Sequence, residues 1–166
     1  MSILLLQGPG AACTPLDGRI VAALCRTARR CGHCVHYQAS ASLGALADSL
    51  RGRVCATSDL VLLNPGDLNL APNGAIRLLR DALDLMPVPY IEVHSHSSEL
   101  LDLDLRSSRQ PLATIAIGGD FEAGCRIAMG VAIRYLSLRG RRRACVQRSG
   151  IVAAAMGPST VQPSFE

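Results

Sequence analysis

Residues 59–73, DLVLLNPGDLNLAPN, decide how this chain folds. Leu60 to Leu63, with Asp59 ahead, is a short, wholly apolar run, and Asn64-Pro65-Gly66 stops it abruptly. A strand covered on both faces reads as such a run, not as an in–out alternation. After a polar loop, Ala75 to Leu85 takes a helical period, with Ile76, Leu79 and Leu83 inward and Arg77 and Arg80 outward. Strand, tight turn and helix in this order make half of a parallel βαβ unit. In an open parallel sheet, ligands gather outside the carboxyl ends of the strands. Asn64 stands at such an end and is the first candidate for function.

The pattern repeats in both directions. Upstream, Ile3–Leu6 is a strand ended by Gln7-Gly8-Pro9-Gly10. Asp17 is placed to cap a helix whose apolar positions Ile20, Val21, Leu24, Ala28 and Cys31 recur at three and four, closed by Gly32. Cys34–Tyr37 is a weaker strand, and Ser42 caps a second helix through Leu43, Leu46, Ala47 and Leu50, ending at Gly52. Downstream, Val88–Val93 is a strand whose Pro89 lies at or before its first ladder bond. A helical patch or an alternating strand is open for Glu99–Arg106. Ala113–Ile117 is the fifth strand, and the last helix runs from Glu122 to Leu138 with Cys125, Met129, Ala132 and Ile133 on one face. Such alternation predicts a five-stranded parallel sheet with helices on both faces, joined by right-handed connections.

Composition narrows the class further. The chain has 166 residues, enough for one domain with a sizeable core. There is no Trp, and Phe and Tyr total only five, so Leu, Ile, Val and Ala must fill that core. No run approaches the roughly 18 apolar residues needed to span a bilayer, and no basic residue precedes the opening apolar run, which argues against a signal peptide. The expected location is cytoplasmic, with seven reduced cysteines. Cys31-Gly32-His33-Cys34, with Cys25 and His36 nearby, offers one CxxC. A structural zinc site needs four close ligands, so buried thiols, and neither metal nor cofactor, are expected here.

All 17 basic residues are Arg. Residues 1–138 carry 12 of them against 12 acids, while 139–166 carry five against one. The excess therefore sits on a C-terminal segment, expected to be a flexible basic tail (139–166) after an α/β domain (1–138). Nucleic acid is not the expected partner of a body with balanced charge.

Three strand ends supply polar side chains: Gln7, Gly8 and Gly10; Asn64, Gly66, Asp67 and Asn69; Glu92, His94, Ser95, His96 and Ser97. In a sheet ordered 2-1-3-4-5 these ends adjoin and are expected to share a crevice. His94 exchanges a proton near neutrality, and Glu92, two residues earlier, lies on the same side of the strand to orient the imidazole. Asn64 offers a carboxamide for a water or substrate oxygen, or for capping its own turn.

Taken together, these stretches resemble type II 3-dehydroquinate dehydratase. ILLLQGPG is similar to that family's first strand and NGPNLN turn, Tyr37-Gln38-Ala39-Ser40 to its RQSN, and NPG at 64–66 and RDAL at 80–83 follow. Ile91-Glu92-Val93-His94 is similar to IEVHxSN, and Ala113–Gly124 to a glycine-rich AxGxIxGFGxxGY stretch. The resemblance implies a flavodoxin-like three-layer α/β/α domain, a homo-oligomer (trimer or dodecamer), and a small polyhydroxy carboxylate as ligand. It implies that Asn64 and His94 act in the elimination of water from 3-dehydroquinate, His94 as general acid. It further implies that Asp81, Ser95, His96 and Arg106 take part in binding substrate.

Departures from the family are concentrated in its chemistry. Its lid, with a tyrosine base and neighbouring arginine, is replaced by Ala11–Leu16, which holds neither. The loop after NPG lacks the family's histidine, and Ser97 stands where the HxSN asparagine should be. The expectation is a divergent, dehydroquinase-like protein with weak or lost dehydration that still binds a small carboxylate. The alternatives are an assembly or regulatory protein, or another lyase reaction that uses His94.

Overall fold

A computed structural model describes residues 1–10, 15–68, 71–94 and 108–155, the last fourteen of these (142–155) as backbone. Apolar β-runs build the sheet: β1 (Ser2–Gln7), β2 (Cys34–Ala39), β3 (Leu60–Asn64), β4 (Tyr90–His94) and β5 (Ala113–Ala116). Every pairing is parallel and the order is β2-β1-β3-β4-β5. Helices α1 (Gly18–Arg30), α2 (Leu43–Arg51), α3 (Arg53–Ala56), α4 (Asn73–Leu85) and α5 (Phe121–Ala155) connect and cover it.

Period-two alternation in the strands divides the core. Leu4, Leu6, Val61, Leu63 and Tyr90 pack with Leu46, Leu50, Leu79 and Leu83 of α2 and α4. Ile3, Leu5, Leu60, Leu62, Ile91 and Val93 pack with Leu24 and Ala28 of α1 and with Cys125, Met129, Ala132 and Leu136 of α5. These are the three layers that strand–helix alternation predicts.

The caps fall where expected. Asp17 accepts from the Arg19 amide at 2.7 Å, Ser42 accepts from the Ala45 amide at 3.2 Å, and Gly32 takes a φ of +77°. Strand and helix bounds shift by a residue or two, and the short α3 was not foreseen. The expected end of the last helix at Leu138 is too early. Among the described side chains Leu136 is its last buried residue, but the backbone stays helical to Ala155 through the Arg-rich run. Arg and Ala favour the helix by propensity, which a periodicity reading does not register. Glu99–Arg106 lies outside the described residues.

At the switch point between β1 and β3 the two strand-ending turns interlock. The Gly8 amide donates to Asn64 O at 2.8 Å, and the Asp67 amide donates to Pro9 O at 3.0 Å. A Cβ on Gly8 would lie 2.2 Å from Pro65 O, and one on Gly66 (φ +81°) would lie 1.9 Å from Pro9 O. Only glycine permits both approaches. The QGPG and NPG turns therefore form one structure.

Candidate functional site

His94 closes β4 and is completely buried. Its Nε2 lies 3.4 Å from Glu92 Oε2, a long contact. The expected imidazole–carboxylate pair thus exists, because residues two apart in a strand share a face.

Asn64 is also buried, and both ends of its carboxamide are engaged. Its Nδ2 donates to Val93 O at 2.8 Å, and its Oδ1 accepts from the Gly66 amide at 3.0 Å. The sequence reading put Asn64 and His94 side by side in a single hollow, and this needs correction. Asn64 follows Leu60 and Leu62, whose side chains go to the α1/α5 face. Glu92 and His94 follow Tyr90, which goes to the α2/α4 face. Alternation therefore directs the two side chains to opposite faces. What joins them is backbone: Asn64 holds the carbonyl of the residue immediately before His94.

On the α1/α5 face lies a cluster that sequence reasoning passed over. Tyr37 donates its hydroxyl to Gln7 Oε1 at 2.7 Å, while the Leu16 amide donates to Tyr37 Oη at 3.0 Å and to Gln7 Oε1 at 3.2 Å. Burial pushes the Tyr37 hydroxyl above its ordinary value, outweighing the Leu16 amide, which pulls the other way. Tyr37 is therefore held as a neutral donor. The chain's other tyrosines are occupied too. Tyr90 donates to Arg109 O at 2.8 Å, and the Tyr135 ring lies 5.8 Å below the Arg139 guanidinium.

A groove of about 470 Å³ opens at the carboxyl edge of the sheet, lined by Pro9, Gly10, Ser42–Gly44, Asp67, Ala71, Pro72 and Ala75. It sits between the N-termini of α2 and α4, and its walls are mostly apolar. The Ser42 cap was readable in the sequence, whereas α4 starts two residues before the expected Ala75. Their convergence follows once β2 and β3 flank β1.

Asp81 lies exposed on α4. Ser95, His96 and Arg106 fall outside the described residues, where the chain leaves β4. It returns at Ser108, whose amide and hydroxyl both donate to Asp84 Oδ1 at 2.8 Å. Cys31 and Cys34 are exposed and Cys25 is half-buried, which corrects the expectation of buried thiols there. Among the described residues no group of three or more His, Cys, Asp or Glu is placed to hold a metal ion. Among them, too, no helix is long and apolar enough to cross a membrane.

Fold and strand order define the class, a flavodoxin-like α/β/α sandwich with a five-stranded parallel sheet ordered 2-1-3-4-5. Solved structures with this architecture include type II dehydroquinases. The type II dehydroquinase of Butyrivibrio crossotus superposes with a TM-score of 0.56 at 17% identity, over 78% of this chain and 97% of its own. A 3-dehydroquinate dehydratase-like protein of Bifidobacterium longum gives 0.50 at 14% identity, over 81% of this chain and 97% of its own. At such identities the likeness is one of fold. No protein-family model matches the chain, and no curated protein matches it.

Proposed function

We propose that this chain is a divergent dehydroquinase-like protein that binds a small polyhydroxy carboxylate near His94, with weak or lost dehydration of 3-dehydroquinate. The His94–Glu92 pair carries the reading. The Glu92 carboxylate would orient the imidazole that serves as general acid. Elimination also needs a base to take the proton beside the ketone, and acid without base leaves the barrier high. Tyr37 and Tyr90 spend their hydroxyls on structural hydrogen bonds, and Tyr37 stays protonated. The complete enclosure of His94 adds a second obstacle to turnover, since a ligand must first uncover it. Asn64 acts here as a positioning residue that fixes the end of β4. Ser95, His96, Arg106 and, from a neighbouring copy, Asp81 are the proposed further contacts to the carboxylate and hydroxyls.

The test is incubation with 3-dehydroquinate, following enone absorbance, beside thermal unfolding with quinate. The reading expects little or no turnover and a saturable rise in Tm that His94→Ala abolishes. Rapid turnover, or no stabilisation by quinate at any concentration, overturns it.

An assembly role is favoured by a separate observation. Ile127, Val131 and Leu138 stay exposed along α5, at spacings that align them on one helix face. A second copy of the chain would cover this stripe. Ile127→Glu with Val131→Glu should then lower the sedimenting mass, and an unchanged mass would rule that surface out.

A further inference from the structure

His33 is 7% exposed, yet neither of its ring nitrogens has a hydrogen-bond partner among the described residues. A buried polar group left unpaired is costly, so such an imidazole calls for an explanation. It lines a cavity of about 310 Å³ together with Cys25, Arg29, Gly32, Cys34 and Val35. The cavity lies where α1 ends and β2 begins, at the opposite end of the sheet from His94.

The surroundings select the ligand's chemistry. Arg29, an exposed residue of the last turn of α1, lines the wall and brings a positive charge to it. The chain's amino group lies near enough to oppose protonation of His33, with Asp59 acting the other way. Asp59 is itself engaged by the Ser2 amide at 2.7 Å. The negative end of α1 is blunted, because Ala28 O accepts from the Cys31 and His33 amides and Arg29 O accepts from the Gly32 amide. Both thiols are turned toward carbonyls, Cys25 to Val35 O at 4.0 Å and Cys34 to Met1 O at 3.7 Å. Cys25, His33 and Cys34 do not converge as a metal-binding group.

We propose that this cavity is an oxyanion site for phosphate or a small phosphate monoester, held by an imidazole N–H of His33 and the guanidinium of Arg29. Charge-assisted bonds from both donors would supply the partner that His33 lacks. A bound anion favours the imidazolium, so the His33 midpoint rises on binding.

Titration of the full chain with inorganic phosphate, read on the His33 imidazole resonances at constant ionic strength, tests this. A saturable shift absent with chloride is expected, with an upward move in the His33 midpoint. Arg29→Gln, at an exposed position that spares the fold, should weaken the response at least tenfold, and His33→Gln should remove phosphate-dependent stabilisation. His94→Ala should leave the response intact, so the outcome is separable from that of quinate binding. Equal responses to phosphate and chloride, or no effect of Arg29→Gln, refute the site. Binding of zinc through Cys25 and Cys34 with no phosphate response does so too.

Discussion

Asn64 was expected either to hold a water or substrate oxygen or to cap its own turn, and its amide does the second. Its place after a buried strand and before Pro65-Gly66 marked it out, but the same place suits an amide that bonds backbone. Here it bridges Val93 O and the Gly66 amide. Asn64→Ala strands two buried backbone groups and should cost about 2–4 kcal/mol, seen as a lower urea midpoint at unchanged slope. A loss below about 0.5 kcal/mol would mean that the bridge contributes little. His94 and Glu92 were legible because strand alternation alone brings them together. That Asn64 faces the other way was equally implicit in the alternation and was overridden by the nearness of the strand ends. His33 was hidden for a different reason: no local pattern announces an imidazole without a partner. Burial holds its folded pKa below the ordinary value of 6.5, with the chain's amino group assisting and Asp59 opposing. The unfolded chain therefore binds the proton more readily. Stability that is full above about pH 6.5 should fall as pH drops through the lower folded midpoint. Urea unfolding without added phosphate should show this loss between pH 7.5 and 5.5 and a flatter dependence in His33→Gln, whereas an unaltered slope would show that His33 does not titrate on unfolding.

At the scale of elements, the turns after β1 and β3 depend on each other in a way that neither sequence segment reveals alone. QGPG looks like weak evidence for an anion loop, and NPG looks like a generic strand stop. Their glycines are required because each turn presses on the other's backbone. Gly66→Ala meets both a positive φ and the Pro9 carbonyl, so a loss of about 2–4 kcal/mol is expected from strain and clash together. Thermal unfolding of Gly66→Ala beside Gly74→Ala separates the causes. Gly74 is helical with open space around its Cβ position, and alanine there should be neutral or stabilising by up to about 1 kcal/mol. Equal effects at the two positions would show that the turns are not interlocked. Helix starts were readable because capping chemistry is local: Asp17 and Ser42 announce α1 and α2. The end of α5 was not, since the signal used was amphipathic periodicity, which reports packing. Beyond Leu138 the sequence loses its apolar period, while Arg and Ala favour the helix that continues to Ala155.

For the whole molecule, the sheet separates two apolar cores that communicate only through the strands. The chain reverses its direction of sheet growth between β1 and β3. As a result α2 and α4 share one face, and α1 and α5 share the other. This follows from five apolar runs and their turns, which is why the architecture could be read from pattern while the site could not: it depends on which atoms satisfy which. The separation has an energetic consequence. Leu46 and Leu79 belong to the same buried cluster, whereas Met129 lies across the sheet in the other. Each truncation to alanine should cost about 2–5 kcal/mol. In a double-mutant cycle, Leu79→Ala with Met129→Ala should add within about 0.5 kcal/mol, because the two share no cavity. Leu46→Ala with Leu79→Ala should depart from additivity by about 0.5–3 kcal/mol, because one void can relax into the other. Denaturant unfolding of the three single variants and the two pairs decides it. Strong coupling across the sheet, or strict additivity within the α2/α4 cluster, would contradict a core divided by its strands.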